Sequence, residues 1–567
     1  MNSAISSPLT AGQIEALVDA KFLGFPLPHP AKAVSNWYLL TVSEDQMRMA
    51  LLPSPEPVET RTIDAFVDRI KYALRHTMDR VSSECNHSGV GLLPERVNPA
   101  NYIRASKMLS GGLEYSMGTH IFGAIHNKTA KFVATGNTIG VRYNMSPTDI
   151  RYSALEVFRH GQFQRADAMT LIYHWLKDNE NRPPAIWKIA NTTRLKNKNI
   201  YYEYDQSLAT ALARNLPQGP QLIPNDWRFP WGGAHETVLL INALLIRCIY
   251  HFVAVHFGSE RYESSGGCES SLCLKISKQK LHRDLELMSS VSHEKIVSFV
   301  KFLTYGEGTR TPDIALQPLV PAGSDILMVP CIHFVSSNHQ RNLLSLQAKI
   351  RSTEFDTQSR LFELAMVGRL ALQCQARWPL TRHNVTVSLS GEKEEIDLVI
   401  ADTTNKVLLV CELRWMIQPG DIREVYNRKN ESKKKIPQIK RKLAHVKNDI
   451  GSSLQILFGD SIPPNERENW NCQGIVIVEG FGGTASESSN IPIMTAPIFE
   501  QGIVGLEDLG VLHAWACSLS WLPVKGEHFE LATTTTTLGP YELQNEGLEF
   551  TANWQAYYEH MQASLQH

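Results

Sequence analysis

The stretch EEIDLVIADTTNKVLLVCELRW, residues 394 to 415, constrains the fold more than any other part of this chain. Two runs of aliphatic and β-branched residues, each of strand length, flank the turn-forming DTTNK (402 to 406). A tight turn centred on Thr404 and Asn405 places Asp397 directly opposite Glu412, and Glu395 opposite Arg414. Opposed residues share a sheet face with Cβ atoms about 5 Å apart, so two carboxylates there repel unless a cation lies between them. Alternation puts Leu408 and Val410 on the face of Glu412 and Arg414, and Val407, Leu409, Cys411 and Leu413 on the other. An apolar face does not suit two solvated acids. A bound metal ion is one reading, and neutralisation by neighbouring Lys and Arg the other. Paired hard oxygen ligands favour Mg²⁺ or Mn²⁺, and such an ion suits phosphodiester hydrolysis.

The rest of the chain sets the context. Its 567 residues exceed one ordinary core. Residues 1–345 read as mainly helical, in two subdomains near 1–145 and 146–345. There the apolar positions of ETRTIDAFVDRIKYALRHTM recur at helical spacing, and Ser146-Pro147 reads as a helix start. TVLLINALLIRCIYHFVAVHF (237 to 257) is long enough to span a bilayer, but Asn242, Arg247, His251 and His256 favour a buried helix and no membrane partner. An α/β domain is expected over 346–525, in the order helix (359 to 374), strand (384 to 390), strand (394 to 401), strand (406 to 415), helix (434 to 446), strand (473 to 480). The first helix is apolar nearly all round and is expected to be buried. Residues 526–567, with the low-complexity TTTTT (533 to 537), read as a C-terminal extension.

This order, with Asp397 on one strand and Glu412-Leu413-Arg414 on the next, resembles the core of the PD-(D/E)XK, or restriction-endonuclease-like, nuclease superfamily. The resemblance covers residues 350 to 520. It implies metal binding by Asp397, Glu412 and the Leu413 carbonyl, with a further acid, Glu363, from the preceding helix. A salt bridge to Arg369 is the alternative role for Glu363. The family usually carries lysine where this chain has Arg414, and arginine is a poor base. Three readings of Arg414 follow: electrostatic stabilisation, replacement of the lysine by Lys440 or Lys442 from the next helix, or a degenerate site. Strand pairing adds an ion pair with Glu395.

Charge supports a polyanionic partner locally rather than globally. The chain is nearly neutral, yet residues 423 to 447 hold ten basic side chains against two acids. Lys433, Lys434, Lys435, Lys440, Arg441 and Lys442, with Gln438, make the expected nucleic-acid surface. A second basic and aromatic stretch, WKIANTTRLKNKNIYYEY (187 to 204), reads equally as an exposed hairpin. No phosphate-binding loop is present, so ATP-driven work would need a partner protein. Nine scattered cysteines without zinc spacing suit a cytoplasmic protein, either alone or as a homo-oligomer. The expected function is Mg²⁺- or Mn²⁺-dependent cleavage of DNA, in defence against foreign DNA by analogy with the family. Cleavage of RNA and a non-catalytic scaffold are the alternatives.

Overall fold

β-Branched and aliphatic residues at alternating positions give the C-terminal part of the chain a sheet with two apolar faces. The computed structural model describes residues 10–52, 60–85, 93–163, 168–178, 182–217, 222–262, 268–389, 391–420, 422–480, 490–538, 541–554, 556–557 and 559. It divides the chain into two compact units, one of residues 9–119 and 161–358, the other of 120–160 and 359–567. Both interleave along the sequence.

The first unit is mainly helical. Its helix Ala234–Arg261 buries Leu244, Ile249, Val253 and Phe257, and two of its buried polar residues, Arg247 and His251, find partners inside the unit. Arg247 Nε donates to Asp284 at 2.8 Å and His251 Nδ1 lies 2.6 Å from the Tyr202 hydroxyl. Those pairings let a bilayer-length apolar helix serve as the centre of a folded unit. In helix Lys32–Leu51, Glu44 is buried and accepts from the backbone N–H groups of Ile332 (2.8 Å) and His333 (3.0 Å). Burial pushes its carboxyl up to about 8, against the pull of those donors. The stretch around residue 197 forms a short hairpin, Arg194–Lys196 with Asn199–Tyr201, turning through Asn197 and Lys198 at φ 53° and 60°; its first strand is exposed, while Asn199 and Ile200 of the second are buried.

The second unit carries a mixed sheet of five strands in spatial order β1 to β5. They are β1 (Thr381–Leu389), β2 (Glu392–Asp402), β3 (Val407–Trp415), β4 (Asn471–Glu479) and β5 (Ile493–Thr495). β1 to β3 are antiparallel neighbours, while β3, β4 and β5 run parallel. Helix α1 (Ser352–Arg377) precedes β1, and α2 (Ile422–Asn448) crosses from β3 to the parallel β4, as a parallel pair requires. Helices α3 (Ile450–Phe458), α4 (Ala496–Gly505) and α5 (Leu509–Ser518) complete the layers. Leu398, Ile400, Leu409, Cys411 and Leu413 pack with Met366 and Leu370 of α1 on one sheet face. Val399, Leu408 and Val410 pack with Ile439, Leu443 and Val446 of α2 on the other.

Several expectations need correction. α1 is buried on one face only, leaving Leu364 and Leu372 exposed at 40% and 71%. α2 starts well before residue 434, so Pro437 lies inside the helix and removes one backbone donor there. The threonine run belongs to β6 (Phe529–Leu538), which pairs with β7 (Tyr541–Phe550). That hairpin joins Ala130–Thr135 and Thr138–Tyr143 in a four-stranded sheet. Helix Pro147–Phe163 is capped by Ser146 Oγ, which accepts from Asp149 N at 3.1 Å. Arg151 of that helix donates to the carbonyls of Leu519, Leu522 and Pro523, each at 2.8 Å. These bonds explain why residues 120–160 belong with the C-terminal part.

Candidate active site

The β2–β3 turn sets the register. Asp402 Oδ1 accepts from Thr404 N (3.0 Å) and Asn405 N (3.2 Å), closing the turn. The ladder then runs from Asp402 paired with Val407 to Leu398 paired with Cys411. Asp397 and Glu412 follow as the next opposed positions, as the sequence suggests. There the Asp397 side chain takes over a backbone role, its Oδ2 accepting from Leu413 N at 2.7 Å. Leu413 therefore contributes its N–H to the carboxylate.

Helix α2 lies over this point and supplies two ammonium groups. Lys435 Nζ donates to Glu412 Oε1 at 2.7 Å. Lys442 Nζ bonds Glu412 Oε2 and lies 3.3 Å from Asp397 Oδ1, so one cation bridges both acids. Lys435 and Lys442 are seven residues apart, two helical turns, which aims both side chains the same way. The side chains of Glu412 and Lys442 are 3% and 9% exposed, so this is a desolvated charge cluster. Burial and the Glu412 carboxylate raise Asp397 above the ordinary carboxylate value, with Lys442 opposing. Burial works against the Lys442 charge, but Asp397 and Glu412 outweigh it and hold this ammonium above its usual value.

The remaining expected residues divide. Arg414 donates to Glu363 Oε1 at 2.7 Å, in place of the pairing with Glu395. Arg369 instead pairs with Glu479 (3.0 Å) and Glu500, which leaves Glu363 to Arg414. Phe362 stacks on Trp415 with ring centroids 3.8 Å apart, fixing α1 beside the end of β3. Lys440 does not approach the acids; it lies on another side of α2, in a groove with Lys447. Of the expected nucleic-acid surface, Lys435 and Lys442 turn inward, Arg441 Nε donates to Glu394 at 2.5 Å, and Lys434 pairs with Glu431 at 2.5 Å. Gln438 is partly exposed between Lys435 and Lys442 on the same side of the helix.

The charge run alone marks Lys435 only as a phosphate contact. The apolar stripe Ile439, Leu443 and Val446 would have placed it: residues 435 and 442 border that stripe on one side, 440 and 447 on the other.

Among the described residues, no group of three or more His, Cys, Asp or Glu side chains is placed to hold a metal ion. Glu363, bonded to Arg414, does not complete such a set. Two carboxylates nevertheless converge on one cation position, marked by the Lys442 ammonium. Mg²⁺ requires no more than one or two protein carboxylates, with water and substrate oxygens filling its shell. The acid pair fits such an ion once Lys442 gives up its place.

No family model, curated protein or solved structure matches this chain.

Proposed function

We propose that this protein is a metal-dependent nuclease that hydrolyses DNA phosphodiester bonds at the Asp397–Glu412 pair, in a fold of the restriction-endonuclease-like kind. The observation that carries this reading is the convergence of both acids on one cation position, with a basic helix directly above it. The order around the pair, helix, three strands, helix and strand with the short helix α3 added before β4, supports it. Bound there, Mg²⁺ or Mn²⁺ would polarise a phosphate oxygen and acidify a water.

The chain's own residues do the rest. Asp397 and Glu412 supply the negative charge that draws a divalent cation to the sheet. Leu413 N–H orients Asp397. Lys442 and Lys435, once a cation replaces them at the carboxylates, present two ammonium groups to the non-bridging oxygens of a scissile phosphate. Lys442 thereby takes the place that the family gives to a lysine where this chain has Arg414. Arg414, held by Glu363, adds positive charge beside the pair. Eight of the nine free thiols are buried, consistent with a reducing, cytoplasmic setting.

A second reading is favoured by one observation. Two carboxylates and two ammonium groups make a neutral cluster in which every carboxylate oxygen already has a partner. Such a cluster would also serve a non-catalytic nucleic-acid-binding scaffold. Cleavage of plasmid and linear DNA, and of RNA, in Mg²⁺, Mn²⁺ or EDTA separates the readings. The nuclease reading expects metal-dependent cutting that disappears in folded Asp397→Ala and Glu412→Ala variants. Binding without cutting under every metal condition overturns it.

A further inference from the structure

The mainly helical unit carries a second basic surface, separate from α2. Between Arg182 and Tyr202 the chain holds five cations and no acid. The inward side of this stretch is anchored. Asn199 Nδ2 donates to Glu95 O at 3.1 Å, Ile200 N to Ser271 Oγ at 3.0 Å, and the Tyr262 hydroxyl to Thr193 O at 2.6 Å. Arg261 Nη1 adds a bond to Asn191 O at 2.9 Å. These bonds tie helix Pro184–Thr192 and the hairpin that follows it to the body of the unit.

Three observations concern the outward side. Lys188, Arg194, Lys196 and Lys198 are exposed, and among the described residues none of them makes an ion pair. Like charges gathered without a counter-charge repel one another and attract a polyanion. Two aromatic rings stand exposed in the same stretch, Trp187 at 42% and Tyr201 at 45%, and Tyr201 lies directly opposite Arg194 across the hairpin. Arg182 sits over the Trp187 ring, 5.4 Å from its centre, and steadies the indole. The turn itself is Asn197-Lys198 with both residues left-handed, a two-residue turn whose second position favours glycine. Lysine there strains the backbone and keeps a cation at the hairpin tip. Glycine would relieve the strain and remove the charge.

We propose that this surface binds single-stranded nucleic acid. Lys188, Arg194, Lys196 and Lys198 take the phosphates, and Tyr201 and Trp187 offer rings on which unpaired bases stack. Bases inside a duplex already stack on one another, so the two rings favour the single strand. The surface belongs to the unit that does not contain Asp397 and Glu412, and the inference holds whether or not that pair cuts DNA.

The test is fluorescence anisotropy of the full chain in EDTA with a labelled oligothymidine and with a duplex of the same length, which reads binding without cleavage. An oligothymidine carrying iodouracil, cross-linked by near-ultraviolet light, locates the contact by mass spectrometry. Saturable binding is expected, tighter for the single strand, with adducts on Tyr201 or Trp187. Arg194→Ala with Lys196→Ala should weaken single-strand affinity at least about tenfold and flatten the slope of log affinity against log salt by about 1.4. Tyr201→Leu should weaken it at least about fivefold. Lys198→Gly should weaken it about threefold while the melting temperature stays equal or rises. The proposal fails if the duplex binds as tightly as the single strand, or if no adduct maps between residues 187 and 201. It also fails if the double variant, with an unchanged melting temperature, binds like the wild type.

Discussion

Arg414 donates to Glu363 Oε1 at 2.7 Å, and this bond ties its guanidinium to α1 while Lys442 occupies the space between the acids. A lysine at position 414 would therefore add nothing the site lacks. Arg414→Lys should change the rate of DNA cleavage by no more than about threefold, less than 1 kcal/mol in the barrier. A rise of tenfold or more would show that position 414, not Lys442, limits the chemistry.

Lys442 bridges the two acids and, on the nuclease reading, also serves the chemistry. Lys442→Met strands Asp397 beside a Glu412 that retains only Lys435, and should lower unfolding free energy by about 3 kcal/mol. Cleavage should fall by about a hundredfold or more. Chemical denaturation and single-turnover cleavage measure the two effects. Adding Glu412→Gln should restore part of the stability and none of the activity; a double variant no more stable than Lys442→Met would contradict the charge-pair explanation.

Glu44 makes stability depend on pH. Its folded-state value of about 8 lies above its ordinary 4.5, so the folded chain keeps a proton that the unfolded chain has released. Stability from this residue is complete at acid pH and is lost as pH rises toward 8. Glu44→Gln removes the dependence. Between pH 5.5 and 8 the variant should gain about 3 kcal/mol relative to wild type, read from denaturant midpoints. Parallel curves for the two proteins would contradict the assignment.

Salt dependence separates outward from inward cations on α2. Lys433→Ala with Lys434→Ala should flatten the slope of log affinity for DNA against log salt by about one per lost phosphate contact. Glu394→Gln releases Arg441 and should steepen that slope by about one. Fluorescence anisotropy at several salt concentrations gives both numbers, and unchanged slopes would remove this face of α2 from the interface.

Gly480 ends β4 at φ +88°, and a Cβ there would collide with the Met416 carbonyl oxygen. The backbone approach is close because Met416 N donates to Glu479 O at 2.9 Å. Gly480→Ala should cost at least about 2 kcal/mol, combining strain with a displaced strand end. A melting temperature equal to wild type would mean that the two strand ends separate freely.

What could be read from sequence follows from the range of the interactions. The opposition of Asp397 and Glu412 depends on a turn of local residues, and the alternation of Val407 to Leu413 depends on strand geometry alone. Lys435 was harder to place because α2 carries charge on all sides, and only its packing against Gly474 and Val476 decides which side faces the sheet. The threonine run has no alternation of polarity to mark it as a strand. Its partner β7 is pinned by Leu543 and Gln544 against Ile139 and Gly140, some four hundred residues earlier. The same distance hides the Arg151 bonds to Leu519 and Leu522.

That four-stranded sheet also orders events during synthesis. Residues 130–143 leave the ribosome long before their neighbours at 541–550 exist, so the early hairpin must wait with an unpaired edge while the intervening chain emerges. The acid pair at 397 and 412 is translated within that interval. Its unit is closed only after translation has passed residue 550, which sets a minimum delay between making the site and completing the unit that carries it.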